Sequence, residues 1–270
     1  MNLQNNMPDS APLRDVVVVG SGNVAESLAR AVAAAEGLRL VQIFARNAAR
    51  GAAVAASSGT AWSADPAALA AADLYLVAVS DRAVAESVSA LTVPAGAVVA
   101  HTAGSVPLES LARFARRGVF YPLQTFTQGR PVGFEGVPCF IEGSDDAVCC
   151  QLEAFARRLG CATFRADSAR RRTVHLAGVF ACNFANAMYG AAERILADAG
   201  LPFGVLKPLI AETAAKAVGA ASPASVQTGP AVRNDLATLD RHRAMLGSEP
   251  DLETIYDTIS RYIWETSRKI

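Results

Sequence analysis

Asp15-Val-Val-Val-Val-Gly20-Ser21-Gly22-Asn23-Val24-Ala25 is the stretch that decides the fold. Four consecutive valines favour an extended strand, and the Ala-rich segment from Asn23 to Ala35 favours a helix. Between them stands G-x-G-x-x-A. In this pattern Gly20 permits a tight turn, Gly22 lets a pyrophosphate approach the backbone, and Ala25 allows close helix packing. Ser21, Asn23 and Val24 lie in the loop and first helical turn, where free N–H groups and the positive dipole end attract phosphate. Taken alone the motif is weak, because a structural turn also uses glycine. Placed after a strand and before a helix, it predicts a dinucleotide site.

The next apolar run, Leu38 to Ala45, reads as a second strand, and its end distinguishes the two nicotinamide cofactors. An Asp or Glu there would accept hydrogen bonds from the ribose hydroxyls of NAD. The chain instead has Phe44-Ala45-Arg46-Asn47, with Arg50 one turn further on. Arg46 can offer a planar fork to a 2′-phosphate. Arg46, Asn47 and Arg50 therefore point to NADP. Two arginines that merely solvate a helix start are the plainer alternative.

Outward from this unit, strands are expected at Asp73 to Val79, Ala97 to His101, Gly118 to Tyr121, Val137 to Glu142 and Cys161 to Arg165. Helices are expected at Ala48 to Ser57, Arg82 to Leu91 and Asp145 to Leu159, the last with Ser144 as N-cap. The alternation is that of βαβ units on a parallel, doubly wound sheet of the Rossmann type. After Asp167 the strand signal disappears. Breaks at Gly200-Leu-Pro202, Ser222-Pro223 and Gly247 to Pro250 divide an all-helical remainder. The sequence thus predicts an α/β protein with a Rossmann domain over 1–166 and a helical domain over 167–270.

Composition narrows the function. The 270 residues carry 25 basic and 25 acidic side chains, so no charge excess favours nucleic acid or an anionic membrane surface. With 51% hydrophobic and 19% charged residues, the chain can bury a core and bind a small molecule or another protein. Five cysteines, with no C-x-x-C pair, suggest reduced thiols in the cytoplasm rather than disulfides or zinc. His, Cys and acidic residues do not cluster at metal-ligand spacings. Met1 to Pro8 reads as a frayed leader, not a secretory signal. Thr173 to Ala192 lacks Asp, Glu, Lys and Arg over a membrane-spanning length. Because it holds His175, Asn183 and Asn186 among Ala and Gly, it is expected as a buried helix of a soluble protein.

Ligands of open α/β sheets bind beyond the carboxyl ends of the strands, where Val79-Ser80-Asp81 and His101-Thr102 fall. Ser80 and Asp81 suit either cofactor contact or a helix cap. His101 suits either a ligand contact or a satisfied core histidine. Val77-Ala-Val79-Ser80-Asp81, His101-Thr-Ala-Gly-Ser105, Gly118-Val-Phe-Tyr121-Pro-Leu-Gln124-Thr-Phe126 and Gln227-Thr-Gly-Pro-Ala-Val-Arg233-Asn-Asp235 together resemble a bacterial family of NADP oxidoreductases. Members of that family join a Rossmann-like half to a helical half of unknown function. The resemblance extends more distantly to pyrroline-5-carboxylate reductase and to the 6-phosphogluconate and β-hydroxyacid dehydrogenases. It implies NADP as cofactor and a helical domain that forms a homodimer and closes over the nicotinamide. It also implies that Tyr121 and Gln124 meet a small-molecule substrate.

On an uninterrupted helix the polar residues of the uncharged segment share one stripe. At about 100° per residue, Asn183, Asn186, Tyr189 and Glu193 fall at about 80°, about 20°, about −40° and about 0° from His175. Such a stripe faces a partner, a wet cleft or a polar network. β-Hydroxyacid dehydrogenases carry a lysine four residues before the Asn of this helix, where this chain has Val179. Of the nearby proton donors only His175 lies on the stripe with a suitable pKa, so His175 and Asn183 are the expected catalytic residues, opposite His101 and Thr102. An imine that arrives protonated would tolerate the missing lysine better than a ketone. Thr228-Gly229-Pro230 takes the place of the carboxylate-binding segment of the reductases, with Arg233 nearby to add charge. A surface turn before a helix explains it as well. The expected activity is hydride transfer from NADPH to a small imine or carbonyl compound bearing a carboxylate. The rival from another class is an NADP-binding sensor or scaffold without catalysis.

Overall fold

The computed structural model describes residues 12–130 and 132–268, so the leader expected at Met1 to Pro8 lies outside the described residues. The chain forms two compact units, Met1–Cys182 and Asn183–Ile270.

An eight-stranded sheet organises the first unit. Its strands are β1 (Asp15–Val19), β2 (Arg39–Phe44), β3 (Ala61–Ser63), β4 (Leu74–Val77), β5 (Val98–His101), β6 (Arg117–Pro122), β7 (Pro138–Gly143) and β8 (Ala162–Arg165). They lie in the order β3-β2-β1-β4-β5-β6-β7-β8. Side chains alternate between the faces of a strand. Val16 and Val18 accordingly pack on one side with Leu28, Ile43, Phe120 and Leu152. Val17 and Val19 pack on the other with Tyr75, Val99 and Leu111. Both faces are covered, which is why β1 could be a continuous run of valine. The covering helices include α1 (Asn23–Ala34), α2 (Ala48–Ser57), α3 (Val84–Ser89) and α4 (Asp146–Arg158).

Four local differences from the sequence reading have physical causes. The sheet is not wholly parallel, because β6 and β7 run antiparallel. A parallel pair needs a crossover, and no helix separates these two strands. β3 escaped notice because three residues are too short to show a period; it is held by Gln42 to Phe44 of β2. The Arg82 to Leu91 helix is realised as a 3₁₀ turn, Asp81–Ala83, followed by α3. The N-cap of α4 is Asp145, which accepts the Val148 N–H at 2.9 Å, while Ser144 donates its hydroxyl to Asp145.

The sheet ends at Arg165 and α5 (Ser168–Gly178) follows, near the expected boundary. Yet α5 belongs to the first unit, and the compact division falls between Cys182 and Asn183. The second unit holds α6 (Ala185–Asp198), α7 (Lys207–Gly219), α8 (Leu236–Met245) and α9 (Pro250–Ser267). Its breaks match the expected ones, with Gly200 at φ +70° and Pro250 opening α9.

The segment Thr173 to Ala192 is neither one regular helix nor buried. A π turn over Val179–Phe184 interrupts it, and no residue of that turn or of α6 is buried within the chain. Among the described residues of the second unit, only Ala231, Leu239 and Leu252 are buried. Among the described residues no helix is long and apolar enough to cross a membrane.

Candidate functional site

The turn after β1 has one crowded glycine and one open one. Gly20 adopts φ +124°, and a Cβ there would lie 2.4 Å from the Ala78 carbonyl oxygen. Its N–H donates to Phe44 at 2.8 Å, tying the turn to β2. At Gly22, by contrast, a Cβ would meet nothing within 4 Å. Gly22 is also the N-cap of α1, so no side chain caps the first N–H groups of that helix. Open space against uncapped amides is what a phosphate needs, and the residues present fit a dinucleotide. Ser21 lies beside it, half-buried. Asn23 and Val24 serve the turn rather than offering side chains to a ligand. The Asn23 amide donates to the Phe126 carbonyl at 3.0 Å, and Val24 packs on the core.

After β2 the three expected cofactor residues separate in role. Asn47 caps α2, accepting the Arg50 N–H at 3.0 Å. The Arg50 guanidinium binds Glu26 at 2.5 Å, and Arg30 shares that carboxylate at 2.8 Å. Among the described residues Arg46 pairs with Glu86, at 2.5 Å, and both side chains are 67% exposed. So exposed a pair contributes little, and the Arg46 fork can be exchanged for a phosphate.

At the carboxyl ends of β4, β5 and β6, which run parallel, several polar groups converge. Val79 is half-buried and Ser80 exposed. Ser80 stands at the start of the 3₁₀ turn without a side-chain capping bond. Asp81 accepts the Ser105 hydroxyl instead. His101 is fully buried, as a core histidine would be, yet it is not a satisfied one: among the described residues its Nε2 meets no hydrogen-bond partner. Its Nδ1 accepts the Ala103 N–H at 3.2 Å, which leaves the ring proton on Nε2. Burial, reinforced by the positive charge of Arg171, lowers its pKa to about 4 and keeps the ring neutral. Thr102 beside it is also buried.

Tyr121 and His175 meet at this edge. The Tyr121 hydroxyl lies 3.1 Å from His175 Nδ1, with the rings edge to face at 6.0 Å. Gly104 makes room for them: a Cβ there would fall 2.6 Å from Nδ1 and 2.8 Å from Tyr121 Cζ. Burial first, and then the Asp81 carboxylate, raise the Tyr121 pKa, so the phenol keeps its proton at neutral pH. Gln124, further along the loop, is exposed and accepts the Thr125 N–H.

What holds His175 in place lies one turn earlier. Arg171 is completely buried; it binds the Glu142 carboxylate of β7 and the Val106 carbonyl. Glu142 also accepts the Ser168 N–H and hydroxyl that begin α5. These contacts, missed in the sequence, join α5 to the sheet unit. A run of three arginines looks like a solvated helix start, and nothing local marks the middle one as buried. Glu142 was likewise unremarkable in sequence, whereas Gly104 and Ser105 stand in the His101 to Ser105 stretch that carries the family resemblance, with no role expected of either.

The structure does not keep the polar stripe from His175 to Glu193 on one regular helix. The π turn carries one extra residue, so the spacing of about 100° per residue does not hold across it. His175 belongs to the first unit and pairs with Tyr121, while Asn183 opens the second. The second unit also holds Thr228, Gly229 and Arg233. Thr228 and Arg233 are exposed, and Gly229 takes φ +113° in the turn preceding α8. Among the described residues no group of three His, Cys, Asp or Glu could hold a metal ion.

A glycine-rich turn at the reversal of strand order, with polar groups on the same sheet edge, defines a dinucleotide-binding oxidoreductase fold. Residues 14–96 match the oxidoreductase family with an NAD-binding Rossmann fold, and residues 137–263 match a domain of unknown function, DUF2520. A "putative NADP oxidoreductase" from Bacteroides fragilis is 37% identical, with a TM-score of 0.87 over 93% of this chain and 98% of that one. The protein belongs to this family, which joins a Rossmann oxidoreductase domain to a DUF2520 region. A Thermotoga maritima protein shares the fold at 21% identity, with a TM-score of 0.71 over 94% of this chain and 98% of its own. So does an Aspergillus terreus reductive aminase in complex with NADPH and ethyl-5-oxohexanoate, at 16% identity and a TM-score of 0.68, covering 93% and 95%. No curated protein matches the chain.

Proposed function

We propose that the protein is an NADPH-dependent reductase acting on a small imine or carbonyl compound that bears a carboxylate. One observation carries the reading: two proton-carrying side chains, Tyr121 and His175, are hydrogen-bonded at the sheet edge that also carries the Gly20 to Gly22 turn. A scaffold that only bound nucleotide would have no need of such a pair there.

NADPH, when bound, supplies the hydride. The amides at the start of α1 and the open face of Gly22 hold its pyrophosphate, and Arg46 takes the 2′-phosphate. Ser80, Asp81 and Thr102 border the nicotinamide end. The pair of Tyr121 and His175 handles the proton that accompanies reduction, with Asn183 as a further donor. With Val179 where relatives carry lysine, a substrate that arrives as a protonated imine makes the smallest demand on the protein. Tyr121 and Gln124 from the sheet unit, and Thr228, Gly229 and Arg233 from the helical unit, are the groups assigned to substrate and its carboxylate. The helical unit is assigned to a homodimer.

NADPH oxidation by the purified protein against a panel of imino acids and keto acids tests the proposal. Turnover of at least one compound is expected. Tight NADPH binding with no turnover across the panel would leave a sensor or scaffold instead.

A further inference from the structure

We propose that Tyr121 is the group that delivers the proton to substrate, and that His175 acts through it as a positioning residue. The inference rests on the reductase reading above and names the acid which that reading leaves open. A phenol oxygen can accept one hydrogen bond and donate another at the same time. If His175 Nδ1–H donates to Tyr121 Oη, the phenol O–H is free to point outward to substrate. If the bond ran the other way, that proton would be spent on the imidazole.

Three features make the outward arrangement the one this site is built for. Tyr121 lies at the carboxyl end of β6, on the strand edge where ligands of such sheets bind, whereas His175 approaches from α5. Gly104 is bare where any side chain would push the two rings apart. The charged groups acting on the phenol are Asp81, after β4, and Arg171, on α5; His101, on β5, is neutral. Asp81 raises the Tyr121 pKa and Arg171 lowers it, and with burial the net effect keeps the phenol protonated.

The proton balance is simple. With a substrate that arrives as a neutral carbonyl compound or imine, negative charge develops on its oxygen or nitrogen as hydride adds, the Tyr121 O–H bond breaks and a substrate O–H or N–H bond forms. The phenolate, held by the His175 Nδ1–H bond, takes its next proton from solvent once the product leaves, so the net proton consumed in the reduction comes from water and the imidazole keeps its Nδ1–H tautomer throughout.

Nitrogen-15 NMR of the cofactor-free full chain reads the tautomer directly, without activity. The His175 proton is expected on Nδ1 in the wild type, moving toward Nε2 in Tyr121→Phe, a change that preserves the ring. A wild-type proton on Nε2 would overturn the proposal. In turnover, Tyr121→Phe should lower kcat by about 10²-fold or more with NADPH affinity unchanged. His175→Asn, which keeps an N–H near the Nδ1 position, should retain more activity than His175→Ala. Full turnover by Tyr121→Phe would also overturn it. Should the wild type turn over no compound, the reductase reading fails by itself and the tautomer alone decides on the pair.

Discussion

Arg46 and Arg50 are one helical turn apart and carry the same charge, yet their surroundings give them different work. Arg50 is held against Glu26, whose side chain is largely buried, while Arg46 reaches an exposed carboxylate. NADPH should therefore bind at least about tenfold tighter than NADH, about 1.4 kcal/mol. Arg46→Ala should abolish that preference and Arg50→Ala should leave it, as titration of each cofactor would show. His101 gives a second residue-scale expectation. Its pKa is about 4 in the folded protein against an ordinary 6.5, so the unfolded chain takes up a proton that the native state refuses. Stability is whole above pH 6.5 and falls as the pH drops toward 4, by about 3 kcal/mol at most. Asp15, Asp145 and Asp235 are held below the usual carboxylate range, so their losses come at lower pH. Urea unfolding across this window should show a flatter pH dependence for His101→Gln than for the wild type.

At the scale of elements, α5 shows how one buried ion pair sets where a functional side chain stands. Arg171 has no exposed surface, and its guanidinium bridges Glu142 on β7 to the Val106 carbonyl, one turn before His175. Arg171→Met strands the Glu142 charge and should cost about 3 to 5 kcal/mol in urea denaturation. Adding Glu142→Leu should recover part of that loss, because the stranded charge is then gone. An effect confined to the exposed surface range, below about 1 kcal/mol, would refute the anchoring role. The sequence displayed the helix but not the anchor, since burial of one arginine among three depends on what packs above it. The π turn after α5 is similarly silent in sequence: its residues, Val179 to Phe184, suit an α-helix equally well.

For the whole molecule, the helical unit raises the question of what covers its apolar side chains. α6 and α7 bury no residue within the chain, and Ile195, Leu209 and Val218 are exposed. Helices that pack their apolar faces normally bury some of their length, so these are suited to a second copy of the chain. Sedimentation at micromolar concentration should show a dimer. A monomer with full thermal stability and intact NADPH binding would rule this out.

Of the fold, the strand from Asp15, the glycine-rich turn, the alternation of strands and helices and the helical remainder were all legible, because each is written in local periodicity and turn residues. The helix breaks at Gly200 and Pro250 belong to the same class, as does the absence of an acid after β2. The sequence alone therefore determined the Rossmann architecture and the residues suited to NADP. Only the tertiary structure decided that β7 turns back antiparallel, that α5 joins the sheet unit, and that His175 meets Tyr121 across Gly104. It also withdrew His101 into the core. These outcomes rest on contacts between residues far apart in the chain, such as Arg171 with Val106, 65 positions away. Burial and pairing over such separations follow from how whole elements pack, and no local period of the chain encodes them.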